Sequence, residues 1–249
     1  MTRRRWIAER WDEGTATLIG SQAEHLIRVL RIQEGTEADV VAGGRVFHSV
    51  VAGISNGGAG GDAEVRFNLL AEVESEAAMP VTLVMSIFKF DHMEWAIEKA
   101  TELGAASIVP VIARRTDKHL AQAAMKRAER WRRIAHEASQ QSRRSDVPLI
   151  ADPMKLAERV KSASNVQRVV LAEQERGTTL RRFLDVAVAD AGAEMPELEI
   201  AIGPEGGWAP EEAALFDVNG WRAVSLGPRI LRAETAAIAA LAVVGSMLE

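Results

Sequence analysis

Two hydrophobic patterns divide the chain. Up to about Val73 apolar residues come in short β-rich runs, "ATLIG", "EADVVAGG", "RVFHSVVAGI" and "AEVRFNLLAEV", separated by glycine-bearing turns, which predicts a small β domain. One segment breaks the pattern. In "SQAEHLIRVLRI" (21–32) Ser21 stands at a capping position, Glu24 follows three residues later, and Leu26, Val29 and Leu30 share a face, predicting a helix. The polar, alanine-rich "ESEAAMP" (74–80) ends in proline and reads as a linker. Beyond it strands alternate with helices. "VTLVMSIF" precedes a helix from Asp91 to its glycine stop at Gly104, with Met93, Ile97, Ala100 and Leu103 at helical spacing. "SIVPVIA", a long helix over 120–142, "VPLI", the helix "PMKLAERVKSA", "QRVVLAE", the helix "TLRRFLDVAVADAG" and "ELEIAIG" follow. Such alternation predicts an α/β fold with a mainly parallel, covered sheet over 81–249, preceded by the β domain at 1–73.

Composition narrows the class. The 249 residues are 47% hydrophobic and 26% charged, enough for a sizeable core in one large or two smaller domains. There is no cysteine, which excludes disulfides, zinc–thiolate sites and cysteine nucleophiles. A formal net charge of -5 argues against indiscriminate coating of nucleic acid, so any such binding must use a local basic face. The start "MTRRRWIAERW" is positive, but charged residues stand where a secretion signal needs an apolar core. The apolar stretch Ala236–Leu248 is shorter than the ~20 residues of a membrane span. No membrane role is expected.

The chemistry concentrates in two loops. "EIAIGPEGGW" stops an apolar strand at Gly203-Pro204-Glu205-Gly206-Gly207, and "AVSLGPRILRAETA" does the same at Gly227-Pro228. In open α/β sheets ligands sit beyond the carboxyl ends of the strands, where such loops lead into helices. Glycine and proline also make ordinary tight turns. Two such loops on neighbouring strands, with Glu205 and Arg232 among them, favour a narrow slot that binds a flat ring through main-chain groups. No dinucleotide fingerprint, Walker lysine, zinc-protease helix or nucleophile elbow occurs. The glycine cluster "SNGGAGGD" (55–62) lacks the lysine of a phosphate loop and reads as a hairpin tip.

Taken together, "IGPEGGW", "LGPRILRAETA", "KFDHMEWAIEKATELGAASIVP" and "RWRRIAHEASQQSRRSDVP" closely resemble the uridine-N3 methyltransferases of small-subunit ribosomal RNA, members of the trefoil-knotted SPOUT superfamily. "AEHLIRVLRI" resembles that family's PUA-like RNA-binding domain, so the likeness covers nearly the whole chain. The resemblance implies a knot, against the general rule. It also implies S-adenosylmethionine as cofactor, held by Leu171, Ala172 and Glu173, by Ile202, Gly203, Pro204, Glu205, Gly206 and Gly207, and by Leu226, Gly227, Ile230, Leu231, Thr235 and Ala236. The implied partners are 16S ribosomal RNA or the assembled small subunit and a second copy of the chain, in the cytoplasm. The C-terminal apolar helix then has two readings, dimer interface or core.

Methyl transfer from a sulfonium needs aligned reactants, and uracil N3 must lose a proton. Arg232 is the candidate for stabilising the uracil anion, with Glu205 and Glu234 as candidate bases. Glu234 equally suits a helix N-terminus, and Glu205 a cofactor hydroxyl or a loop brace. Arg3, Arg4, Arg5, Arg28 and Arg31 in the first domain, and Arg130, Arg133, Arg143 and Arg144 along and after the long helix, are candidate RNA contacts. For the helix, a solvated face ion-paired to Glu129 and Glu137 is the competing reading. His25 suits stacking or capping alike. His92 and Glu94 lack a third ligand at metal-like spacing, so no metal is expected. Glu102-Leu103-Gly104 fits helix termination. Two other functions fit less well: a ribose 2'-O-methyltransferase of the same superfamily, and a ribosome-assembly factor that binds RNA without catalysis.

Overall fold

The computed structural model describes residues 5–57, 61–192 and 194–248. Arg3 and Arg4, and the middle of the glycine cluster at 58–60, lie outside them. The chain divides into two compact units: residues up to Ala77 together with Ser139–Asp146, and Ala78–Ala138 together with Val147 onward.

The first unit is a six-stranded sheet in the order β1-β4-β5-β6-β3-β2. Its strands are β1 (Trp6–Ile7), β2 (Arg10–Trp11), β3 (Thr15–Ile19), β4 (Glu37–Ala42), β5 (Arg45–Ser55) and β6 (Glu64–Val73). Alternation puts Leu18, Val40, Val51, Val65 and Phe67 inside. Register shifts at His48/Ser49 and Val51/Gly53 bend the long β5–β6 hairpin. Two-residue β1 and β2 carry too little alternation to be read from sequence.

The predicted helix takes a different form. Helix α1 (Ser21–Glu24) is capped by Gly20 at φ 64, with no side-chain cap from Ser21, and widens at once into a π-helical turn over His25–Val29. Leu30 N–H donates to the His25 carbonyl at 3.1 Å, five residues back. The extra residue per turn rotates the expected apolar stripe. Ala23 and Leu26 are buried, but Val29 and Leu30 are 64% and 53% exposed.

The second unit is a parallel sheet in the order β10-β8-β7-β12-β11-β13, with β9 also on β8. The strands are β7 (Met79–Ser86), β8 (Ala105–Ile112), β9 (Leu149–Ile150), β10 (Met154–Lys155), β11 (Gln167–Leu171), β12 (Leu198–Ile202) and β13 (Arg222–Val224). Helices α2 (Phe90–Glu102), α3 (Lys118–Gln141), α4 (Leu156–Lys161), α5 (Leu180–Asp190), α6 (Pro210–Val218) and α7 (Ala233–Gly245) connect them. β7 and β12 are buried on both faces, as central parallel strands are, and their one charged residue, Glu199, is ion-paired to Arg159 and Arg168. Leu83, Ile200 and Leu241 belong to one core and Val84, Ala201 and Phe216 to another, each large side chain worth about 1.5–3 kcal/mol of burial. The helix expected over 153–163 is shortened, because Met154 and Lys155 pair with Val111 and Ile112 of β8.

Candidate active site

The loops that leave β11, β12 and β13 open on the same edge, because those strands are parallel neighbours. They enclose a cavity of about 860 Å³, within the range of small-molecule sites. Leu171, Ala172, Glu173, Ile202, the run Gly203–Gly207, Leu226, Gly227, Ile230, Leu231 and Ala236 line it, as do Arg232, Glu205 and Glu234. Thr235 does not: it sits on the exposed outer side of α7, a helical step round from Glu234.

Each loop is held by specific bonds. An added Cβ at Gly203 would stand 3.3 Å from the Trp208 indole, tighter than ordinary contact, so any side chain there presses on the ring. That indole donates from Nε1 to the Leu171 carbonyl at 3.0 Å, tying the β12 loop to the end of β11. Gly207 (φ 68) and Gly227 (φ 115) occupy backbone regions that L side chains rarely adopt. The Arg115 guanidinium donates to the Gly206 carbonyl. Buried Glu212, at the start of α6, accepts from Ala209 N–H at 2.9 Å and from Arg114 N–H at 2.7 Å. On the remaining wall Ala172 N–H donates to the Val224 carbonyl at 3.0 Å, and Leu180 N–H to the Ser225 carbonyl at 2.8 Å. The Glu175 carboxylate accepts from Thr178 and Gly177 N–H at 2.9 and 2.6 Å, and those bonds hold it below the ordinary carboxylate range.

Charge at the cavity is arranged unevenly. Glu234 is only 6% exposed, in the first turn of α7, and its Oε1 lies 3.3 Å from Nδ1 of His92. Arg232 is exposed and has no ion-pair partner among the described residues. Several lining residues fell outside sequence reasoning about the pocket, among them Lys89, His92, Arg115 and Gln174. Lys89 and His92 flank the start of α2, which only the parallel pairing of β7 and β12 brings to this edge. No group of three metal-ligating side chains occurs among the described residues.

The basic candidates separate by environment. Arg28 and Arg31 are exposed in the first unit, Arg28 within 3.7 Å of Glu24 and Arg31 at φ 53. Arg5 is half-buried, donates to the Arg143 carbonyl, and is pulled below the ordinary arginine range by burial and by Arg143. Arg143 sits 3.4 Å from Asp39. Arg144 is corrected most: it is 9% exposed and forks onto Asp146 at 3.0 and 2.6 Å, so it is no part of an exposed basic face. In the second unit Arg130 bonds Glu94 at 2.8 Å, and Arg133 lies 3.9 Å from Glu137.

Comparison with known proteins gives one picture. The sequence profile of the RNA methyltransferase domain family matches residues 75–245. The chain is 34% identical over 246 residues to a ribosomal RNA small subunit methyltransferase E of Synechocystis, covering 97% of this chain and 76% of that protein. It is also 34% identical to the protein of that name from Mycobacterium bovis, over 94% of this chain and 87% of that one. A crystal structure of a ribosomal RNA small subunit methyltransferase E from Neisseria gonorrhoeae, bound to S-adenosyl methionine, superposes with a TM-score of 0.78 at 27% identity, covering 98% and 97% of the two chains.

Proposed function

The chain belongs to the RNA methyltransferase family, beside the small-subunit methyltransferases E, and from that membership we propose that it methylates ribosomal RNA with S-adenosylmethionine as donor, at N3 of a uridine in 16S RNA. The carrying observation is the glycine-built cavity at the ends of three adjacent parallel strands, in a chain whose relative carries that cofactor.

The residues present fit the cofactor. Leu171, Ile202, Leu226 and Leu231 offer apolar walls for a purine, and Glu173 and Glu205 offer acceptors for hydroxyl or amino groups. Among the described residues no main-chain hydrogen bond uses the N–H groups of Gly227, Ile230 or Leu231, which stay free for a ring edge. When bound, S-adenosylmethionine supplies an electrophilic methyl group on a sulfonium. The chain's task is then to hold a uracil against it, exclude water and manage the N3 proton. Arg232, charged and unpaired at the rim, stabilises the uracil anion through a carbonyl oxygen. Glu234 complements the α7 dipole and is a buried acceptor lining the same cavity.

Arg28, Arg31 and the exposed Val29 and Leu30 form the RNA-contacting surface of the first unit, read as PUA-like. The last strands and α7 form a trefoil knot. The protein works as a cytoplasmic homodimer through the outer side of α7, where Thr235, Ala239 and Ala242 face outward; sedimentation at twice 27.0 kDa supports this, and a monomer refutes it. Titration calorimetry with S-adenosylmethionine, then mass spectrometry of 16S RNA and of assembled subunits incubated with both, tests the activity. Saturable binding with one methyl gained on a uracil base is the expected result. A methyl on ribose points to the 2'-O reading, and absence of cofactor binding refutes methyl transfer.

A further inference from the structure

We propose that His92, oriented by Glu234, accepts the N3 proton of the target uracil. The inference rests on the N3 reading above and deepens it by naming the proton's destination.

Three observations carry it. First, both side chains line the large cavity, from two different helices: His92 in the first turn of α2 and Glu234 in the first turn of α7. Second, Glu234 is 6% exposed, and His92 Nδ1, 3.3 Å from its Oε1, is the one basic side-chain group within ion-pair distance of it among the described residues. A buried carboxylate costs stability unless partnered, so it fixes the ring that partners it. Third, Glu234 Oε1 stands nearer Nδ1, at 3.3 Å, than Asp91 Oδ2 stands to Nε2, at 3.8 Å, and a carboxylate beside Nδ1 favours the Nδ1–H tautomer, which leaves the lone pair on Nε2. The His92 side chain is a third exposed, so that lone pair remains within reach of a ligand.

The step balances within the uracil–imidazole pair. The N3–H bond breaks and an Nε2–H bond forms. The electron pair stays on N3, where the methyl group is received. The imidazolium lies between two carboxylates, Glu234 at Nδ1 and Asp91, whose Oδ2 is 3.8 Å from Nε2. The other charged groups facing the cavity are Lys89, Arg115, Glu173, Glu205, Arg229 and Arg232. The cations among them favour the uracil anion while it exists. Glu234 is a positioning residue here, and His92 the catalytic one. The arrangement also accounts for Glu234 being buried at a helix start, where an exposed carboxylate would serve the dipole equally well.

The test joins a spectroscopic and a kinetic reading. In the cofactor-free protein, nitrogen-15 spectra of the His92 ring should show the neutral Nδ1–H tautomer, and Glu234→Gln should shift the population toward Nε2–H. In single-turnover methylation, His92→Gln should be slower by about 100-fold, the lower end of general-base effects. His92→Lys keeps a cation beside Glu234 but offers no neutral imidazole. It should be as slow. Calorimetry with S-adenosylmethionine accompanies each variant. A His92→Lys protein within threefold of wild type overturns the inference, as does a rate loss matched by an equal loss of cofactor affinity or an Nε2–H tautomer in wild type. Wild type that methylates no N3 overturns the N3 reading itself; methylation of N3 indifferent to His92 overturns only the proton's destination.

Discussion

At the scale of single residues the cavity depends on atoms that are absent as much as on those present. Gly203 lies against the Trp208 indole, so a Gly203→Val side chain should push the ring and strain its bond to the Leu171 carbonyl. One such bond is worth roughly 1 kcal/mol. With the displaced ring also intruding on the pocket, cofactor affinity should fall at least about tenfold, or 1.4 kcal/mol. Circular dichroism should meanwhile report an unchanged fold, and undiminished calorimetric binding would remove Gly203 from the pocket's function. Glu175 gives a pH-dependent counterpart. Backbone N–H groups of Thr178 and Gly177 hold its carboxyl below the usual range. A depressed carboxylate contributes stability above its unfolded-state pKa and loses it as pH falls through the lower folded value. Glu175→Gln should therefore be less stable than wild type at neutral pH, and the two urea midpoints should converge as pH drops below that value. A deficit that persists in acid would mean the bonds to Gly177 and Thr178 do not carry the difference.

At the scale of elements, buried carboxylates link pieces distant in sequence. Glu212 joins the first turn of α6 to the segment after β8 by accepting two backbone N–H groups at once. Glutamine can accept at only one of them and turns an N–H donor toward the other. Glu212→Gln should cost about 1–3 kcal/mol, read as a shift in the urea midpoint with unchanged slope. The Gly-Pro loops, and the α/β alternation that places them on one edge, were legible in sequence because each is encoded within a few consecutive residues. Glu212 was legible only as a dipole partner of α6, since its bond to Arg114 crosses 98 positions. His92 was legible only as an incomplete metal ligand, because Glu234 reaches it from another helix. The π-helical turn was hidden for a different reason. Its residues keep helical hydrophobic spacing, and only the five-residue bond from Leu30 to His25 reveals that Val29 and Leu30 face solvent.

For the whole molecule, a net charge of -5 leaves RNA recognition to where arginines stand rather than to how many there are. Arg144 is neutralised by Asp146, and Arg130 bonds a Glu94 that also pairs with Arg127, so its charge is only partly offset. Arg28 is exposed with only a distant, solvated partner in Glu24, and a pair of that kind is worth little. Arg31, in the left-handed region at the end of the π-helical turn, is exposed as well. If each neutralises one phosphate, the double variant Arg28→Glu with Arg31→Glu should lower the salt slope of 16S RNA binding by about 1–2 in log K per log salt. Affinity should fall with it, while S-adenosylmethionine binding in the second unit stays at wild-type strength. Arg130→Glu is the internal comparison. Its cation is held by Glu94, so it should alter stability more than the salt slope. Filter binding across a salt series decides between them: an unchanged slope in the double variant together with a reduced slope in Arg130→Glu would move the RNA contact from the first unit to α3.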